Sequence, residues 1–264
     1  MRFAIDSRLT EVRHAVDLAT QFCARNALAE RDANAIAVAL DEVLSNVIHH
    51  GLGDCTGHEI RVALNYANGQ ISVEVEDDSA PFDPTQVPAP KLAPILAQRK
   101  VGGLGLMFVR ALTDSVAYSR TSERNCLVLR RRVSGSDPVP QAHAEHPKYR
   151  MSDTAQGAGR LVAVEGRLDS ETAKLFRDQL LKLIRSGALR VAIDLARVSY
   201  IGSAGIWVLL AADGLAISLG GGLVVYGLNP EIAHLFERIG IAAALHVCDT
   251  TEAALATLEP KASQ

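Results

Sequence analysis

Between Val133 and Gly159 the hydrophobic periodicity stops: VSGSDPVPQAHAEHPKYRMSDTAQGAG collects Pro, Gly, Ser, Ala and His with no helical or strand period. Such a stretch supplies no core and reads as a linker. The chain of 264 residues is therefore expected to form two domains, 1–133 and 160–264, joined by 134–159, each burying its own apolar surface. A composition of 48% hydrophobic and 22% charged residues is that of a globular chain and supplies both cores. His143 and His146, with no cysteine or acidic cluster beside them, are expected to be solvated linker residues.

Composition also removes several function classes. A formal charge of −3 gives no general attraction to nucleic acid or to an anionic membrane, and 5% aromatic residues supply few platforms for stacking bases. Cys23, Cys55, Cys126 and Cys248 are scattered without a CxxC pair, which argues against a structural zinc site and a disulfide framework and for reduced thiols in a cytoplasmic protein. Charges at Asp6, Arg8, Glu11, Arg13 and Asp17 interrupt what a signal peptide would need. The apolar run Ile201 to Leu223 is broken by glycines and Asp213, so a buried helix is expected there and no membrane span.

In the first half, Asp6 or Ser7 is placed to cap a helix carrying Leu9, Val12, Val16 and Phe22, and a second helix is expected over Glu30 to His50, ended by Gly51. Glu59 to Asn65 and Gln70 to Glu76 alternate apolar and polar residues around Tyr-Ala-Asn-Gly, the pattern of a hairpin. A short helix from Gly105 to Asp114 and strands Ser115 to Ser119 and Cys126 to Val133 complete an α+β layer sandwich with a mixed, largely antiparallel sheet. The second half alternates strand and helix: Leu161 to Glu165, a helix capped by Asp169 or Ser170, Val191 to Leu195, a helix after Gly205, Leu223 to Tyr226, and a helix with Asn229 as cap and Pro230 at its first position. The fold class is thus α/β overall.

Three segments of the first half carry chemistry. Glu42 and Asn46 lie four apart on one helix face, a carboxylate able to take a proton and an amide oxygen able to ligate a hard cation. Glu76 to Pro84 leaves a strand into an acidic turn. Gly102-Gly103-Leu104-Gly105 precedes a helix, where backbone N–H groups can meet phosphate. Any one of these is commonplace, as an exposed helix face, an acidic loop or a glycine turn. Together, LDEVLSNVIHHG, EDDSAPFDP and VGGLGL resemble the N, G1 and G2 boxes of the GHKL ATPase superfamily, in particular the small serine kinases that act as anti-sigma factors. The resemblance spans about Met1 to Val133. It implies Glu42 as catalytic base, Asn46 as magnesium ligand, Asp77 as the carboxylate that reads adenine, and Gly102, Gly103, Leu104 and Gly105 as the phosphate turn. Thr85 to Val101 would be a lid that orders on ATP binding. Ser79 stands where that family usually has glycine, a departure expected to disturb the adenine end.

In the second half, Ser203 in Tyr-Ile-Gly-Ser-Ala-Gly sits at a helix start, either as an ordinary N-cap or as a hydroxyl presented to a kinase. Arg160 to Leu258 resembles a STAS domain, the fold of anti-sigma factor antagonists, whose signature aligns with Gly202-Ser203-Ala204-Gly205. Ser203 then matches the phosphorylated serine, while Gly202 and Ala204 replace an acidic and a hydroxyl residue. Jointly the two resemblances imply a partner-switching regulator: an ATP- and Mg2+-dependent serine kinase domain fused to a STAS domain that is its substrate or docking partner, in cis or in trans. The implied partners are a sigma factor or another signalling protein, with a homodimer formed through the first domain. The alternative is a non-catalytic ATP-sensing module. A histidine-kinase core is a weaker third reading, because His14 and His49 lie within the ATP domain's own helices.

Overall fold

The computed structural model describes residues 1–88, 104–121, 123–133, 148–157 and 159–258, and these fall into two compact units on either side of the gap at 134–147. In the first unit β1 (Arg2–Asp6), β2 (Glu59–Ala67), β3 (Gln70–Asp77), β4 (Ser115–Thr121) and β5 (Arg124–Arg132) form one sheet in the order β1-β2-β3-β5-β4. Every pairing in it is antiparallel. The β2–β3 hairpin turns on Asn68 and Gly69, both at positive φ (53° and 70°), the backbone that suits a two-residue turn between twisted strands.

One face of the sheet is apolar and buried, through Ile60, Val62, Leu64, Ile71, Val73, Val75 and Leu129. Three helices of this unit, α1 (Leu9–Arg25), α2 (Glu30–Asn46) and α3 (Leu104–Leu112), pack together, with Phe108 and Val109 of α3 fully buried. Helix α2 is the central one, in contact with α1, α3 and β3, which is why its buried residues run almost unbroken from Asp32 to Leu44. The α+β sandwich expected from the sequence is present.

Two local expectations fail. The N-cap of α1 is Arg8, with no side-chain cap. Asp6 and Ser7 are used elsewhere: Asp6 Oδ1 accepts from Gly57 N–H at 3.0 Å, and Ser7 Oγ accepts from His58 N–H at 3.2 Å while donating to the Cys55 carbonyl at 2.7 Å. Long-range ties from the end of β1, a strand the sequence pattern did not reveal, won over local capping. The second helix also changes character before its end. α2 stops at Asn46 and a π-helical turn, Val47–Gly51, follows, with Leu52 N–H bonded to Val47 O at 2.8 Å.

The second unit carries β6 (Arg150–Gln156), β7 (Gly159–Leu168), β8 (Arg190–Ile201), β9 (Gly222–Tyr226) and β10 (His246–Cys248) in the order β10-β9-β8-β7-β6, parallel except for the antiparallel edge β6. β6 lies inside the predicted linker. Its largely exposed residues give no hydrophobic alternation, as suits an edge strand. The helices are α4 (Ala173–Arg185), α5 (Ser203–Ser218), α6 (Pro230–Ile239) and α7 (Thr251–Leu258). Ala192, Val224 and Tyr226 pack against Ala254 of α7. The alternating residues Val191, Ile193, Leu223 and Val225 are buried too, so both faces of this sheet are covered, the usual state of a parallel sheet. Asn229 caps α6, its side-chain oxygen accepting from Ile232 N–H at 2.8 Å, with Pro230 at N1. The expected cap of α4 by Asp169 or Ser170 is not found: its N-cap is Thr172, with no side-chain cap, and Asp169 instead accepts from Thr172 N–H at 3.0 Å in the turn that precedes the helix. Among the described residues no helix is long and apolar enough to cross a membrane.

Candidate functional site

A cavity of about 470 Å³ opens between the C-terminal end of α2, the loop after β3, the start of α3 and the ends of β4 and β5. Asn46, Asp77 and Gly105, far apart in sequence, all line it. Val43, Val75, Leu106 and Leu127 make its wall largely apolar, the usual make-up of a small-molecule site with few polar anchors.

At one end stand Glu42, Asn46 and Gly105. A methyl group placed on Gly105 would lie 2.6 Å from Glu42 Oε2 and 3.2 Å from Asn46 Nδ2, so the carboxylate and the amide flank the bare backbone where α3 begins. Glu42 is buried at 6% exposure and does not itself line the cavity. Leu104 is buried as the first residue of α3. Gly102 and Gly103, and most of the predicted lid (89–101), lie outside the described residues.

At the other end Asp77, 5% exposed, closes β3. Its Oδ1 accepts from Ser79 N–H at 2.9 Å, from Asn125 Nδ2 at 2.9 Å and from the Ser79 hydroxyl in a short hydrogen bond. Ser79 sits against Gly51, where a side chain would come within 2.7 Å of its Oγ, so a residue without Cβ on the π turn makes room for the serine. The Ser79 hydroxyl is satisfied and buried beside Asp77, so the turn itself accommodates the serine.

Several lining residues were missed from sequence: His50, Gly51, Tyr118 and Asn125. Asn125 had a signal. It pairs directly with Asp77 across β3–β5 and is the polar start of an inward-facing series that continues as Leu127 and Leu129. Tyr118 and His50 had none, since nothing local tells which side of an edge strand or of a π turn faces a ligand.

Ser203, in the second unit, is the first residue of α5 and half-buried, and the cap position belongs to Gly202 in extended conformation. The reading of Ser203 as N-cap is thus displaced by one residue. Gly205 has a steric reason, since a Cβ there would lie 2.8 Å from both Cβ and O of Leu168. The absence of a side chain lets the start of α5 seat directly on the end of β7.

Comparison with known proteins agrees with this division. The family model for the histidine kinase-like ATPase domain matches residues 5–131, and that for the Mlab-type STAS domain matches 151–247. The serine/threonine-protein kinase BtrW of Bordetella bronchiseptica is 30% identical over 94 residues, 36% of this chain and 66% of that protein, so the match spans slightly less than two thirds of that relative. BtrV of the same organism, provisionally named an anti-sigma factor antagonist, is 32% identical over 102 residues, 38% of this chain and 88% of BtrV. A solved anti-sigma factor antagonist from Mycobacterium paratuberculosis is 20% identical, covers 42% of this chain and 94% of its own, and has a TM-score of 0.38. The chain therefore belongs to two families at once, carrying a histidine kinase-like ATPase domain in its first half and a STAS domain in its second.

Proposed function

We propose that the first domain binds ATP in the 470 Å³ cavity and transfers its γ-phosphoryl group to a seryl or threonyl hydroxyl of a STAS-type partner. Ser203 of this chain or of a second copy is the natural acceptor. The observation that carries this reading is the convergence of Asn46, Asp77 and Gly105 on one cavity, with Glu42 and Asn46 flanking the backbone of Gly105.

The residues fit an ATP–Mg2+ pair. Asp77 gives an acceptor at the apolar end of the cavity, and the bare backbone at Gly105 gives the close approach that a phosphate needs. Asn46 would hold Mg2+ through its amide oxygen, and the ion, when bound, neutralises phosphate charge. Glu42, beside Gly105 at the cavity's edge, would accept the proton of the acceptor hydroxyl as its oxygen forms a bond to the γ-phosphorus and the β–γ bridging bond breaks, releasing ADP. Positioning and proton removal are what such a site can contribute. The regulation follows from kinship with BtrW and BtrV, a kinase and an antagonist name joined in one chain. An added charge near −2 at the start of α5 would repel an acidic docking surface and accept new basic partners, the physical basis of a partner switch.

Incubation with ATP and Mg2+ followed by mass spectrometry tests this directly. Phosphate is expected on Ser203 or on an added STAS protein. Glu42→Gln should lower the transfer rate by about 10²–10⁴-fold while nucleotide affinity changes little. A protein that binds ATP, yet labels neither itself nor any STAS partner, would leave the nucleotide-sensing module as the correct description.

A further inference from the structure

Asp77 is held by an ordered chain of donors that begins outside the cavity. Arg120 Nη1 donates to Asn125 Oδ1 at 2.7 Å, and the Tyr118 hydroxyl donates to the same oxygen at 2.8 Å. The amide of Asn125 is thereby oriented with its NH2 inward, where it reaches Asp77 Oδ1 at 2.9 Å, Ser79 Oγ at 3.0 Å and the Ser79 carbonyl at 3.2 Å. Flipping that amide would set its carbonyl against a carboxylate and a peptide oxygen and its NH2 against a guanidinium, so the polarity is fixed by charge. Arg120 also donates to the Ser79 carbonyl at 3.1 Å, which pins the turn that carries the serine.

The consequence lies at the carboxylate. Among the described residues every hydrogen bond to Asp77 falls on Oδ1: the Ser79 N–H, the Ser79 hydroxyl and the Asn125 amide. Oδ2 takes none among the described residues, and Asp77 lines the cavity. With Oδ1 supplied with three donors, the carboxylate is held as an acceptor, and what remains for a ligand is one acceptor oxygen of set direction. A buried site of this kind rejects a ligand that offers an acceptor in return, because two lone pairs would then be left facing each other.

We propose that Ser79 and Asn125, oriented by Arg120 and Tyr118, are positioning residues that set base selectivity in this chain, admitting a purine with an amino group at position 6 and rejecting one with a keto group. This rests on the ATP reading above. It gives Ser79, the departure from its family's glycine, a role: with Gly51 yielding space, the serine hydroxyl adds one donor to Asp77 that a glycine could not, beside the backbone N–H that any residue there would offer.

The test compares binding of ATP and inosine triphosphate, which differ at position 6, to the full-length protein and to Ser79→Ala, Asn125→Leu and Tyr118→Phe. The unaltered protein is expected to prefer ATP by at least about tenfold. Ser79→Ala and Asn125→Leu should each reduce that preference by about fivefold or more, chiefly through weaker ATP binding, with inosine triphosphate affinity held within about twofold. Tyr118→Phe should fall between, since it removes one of the two donors that orient Asn125 and leaves Arg120 in place. The ratio reports base readout, which a general loss of stability would not move, and Tm identifies any variant that fails to fold. Should Asn125→Leu unfold, Ser79→Ala, the smallest change, decides alone. Folded variants that keep the full ATP preference would overturn the proposal. An unaltered protein that binds neither nucleotide would instead overturn the ATP reading itself.

Discussion

At Gly105 a single hydrogen separates the start of α3 from the Glu42 carboxylate. Gly105→Ala would put a methyl carbon 2.6 Å from Glu42 Oε2, and since Glu42 is buried its carboxylate must turn away from where it now stands. A displacement of about 1 Å at a reacting group costs on the order of 10²-fold in rate. The expected outcome is a phosphotransfer rate lower by about that factor with the fold intact, checked by single-turnover kinetics beside circular dichroism. Cys23 is a second residue with a clear fate. Burial, helped by the Asp32 carboxylate, pushes its thiol up to about 12, so it is expected to resist alkylation at neutral pH until the protein unfolds, whereas exposed Cys55 reacts in the native state. Timed alkylation with peptide mapping separates the two.

Among the elements, α2 is anchored by an ion pair that neither helix propensity nor periodicity reveals. Asp32, fully buried near its start, meets Arg131 of β5 at 2.7 Å, and Arg131 also donates to the Leu112 carbonyl at the end of α3 at 2.8 Å. Three elements that shape the cavity are thus tied at one point. Asp32→Ala leaves the guanidinium buried without its partner and should cost about 3–5 kcal/mol, read as a drop in the midpoint of chemical denaturation. In the second unit α5 carries Asp213, whose carboxyl burial pushes up against an opposing hydrogen bond from Leu223 N–H at 3.0 Å and the charge of His246. A carboxyl raised in the folded state binds its proton more tightly there than in the unfolded chain. Stability therefore falls as pH rises from the ordinary carboxylate value, about 4, through the raised folded value, and stays lower above it. Asp213→Asn keeps an oxygen for Leu223 and removes that loss. Its Tm advantage should grow as pH rises and vanish in acid, as calorimetry of the full chain across pH would show.

At the scale of the whole molecule, each unit owns a sheet and a buried core, so residues 1–133 are expected to fold and bind ATP without the rest, visible as a cooperative melt that ligand shifts upward. The fusion also makes a kinetic prediction. If Ser203 is phosphorylated by the domain on its own chain, the labelled fraction per unit time is independent of protein concentration; transfer between chains rises with it. Dilution over a hundredfold range distinguishes these.

What could be read along the chain was whatever depends on neighbours in sequence: the hairpin on Asn68–Gly69, the Asn229 cap, the alternation of the second half, and the three boxes that place Glu42, Asn46, Asp77 and Gly105. These follow from backbone sterics and from spacing on a single element, which a linear pattern records. Strands β1 and β6 escaped notice because an edge strand needs no apolar alternation, and Asp6 and Ser7 were misassigned because their partners lie about 50 residues away. Only tertiary structure could bring Asn125, Tyr118 and Arg120 around Asp77, let Gly51 make room for Ser79, and bury Asp32 against Arg131. Those contacts depend on the register of paired strands and on the packing of helices over them, and so on distances through space that the order of residues does not encode.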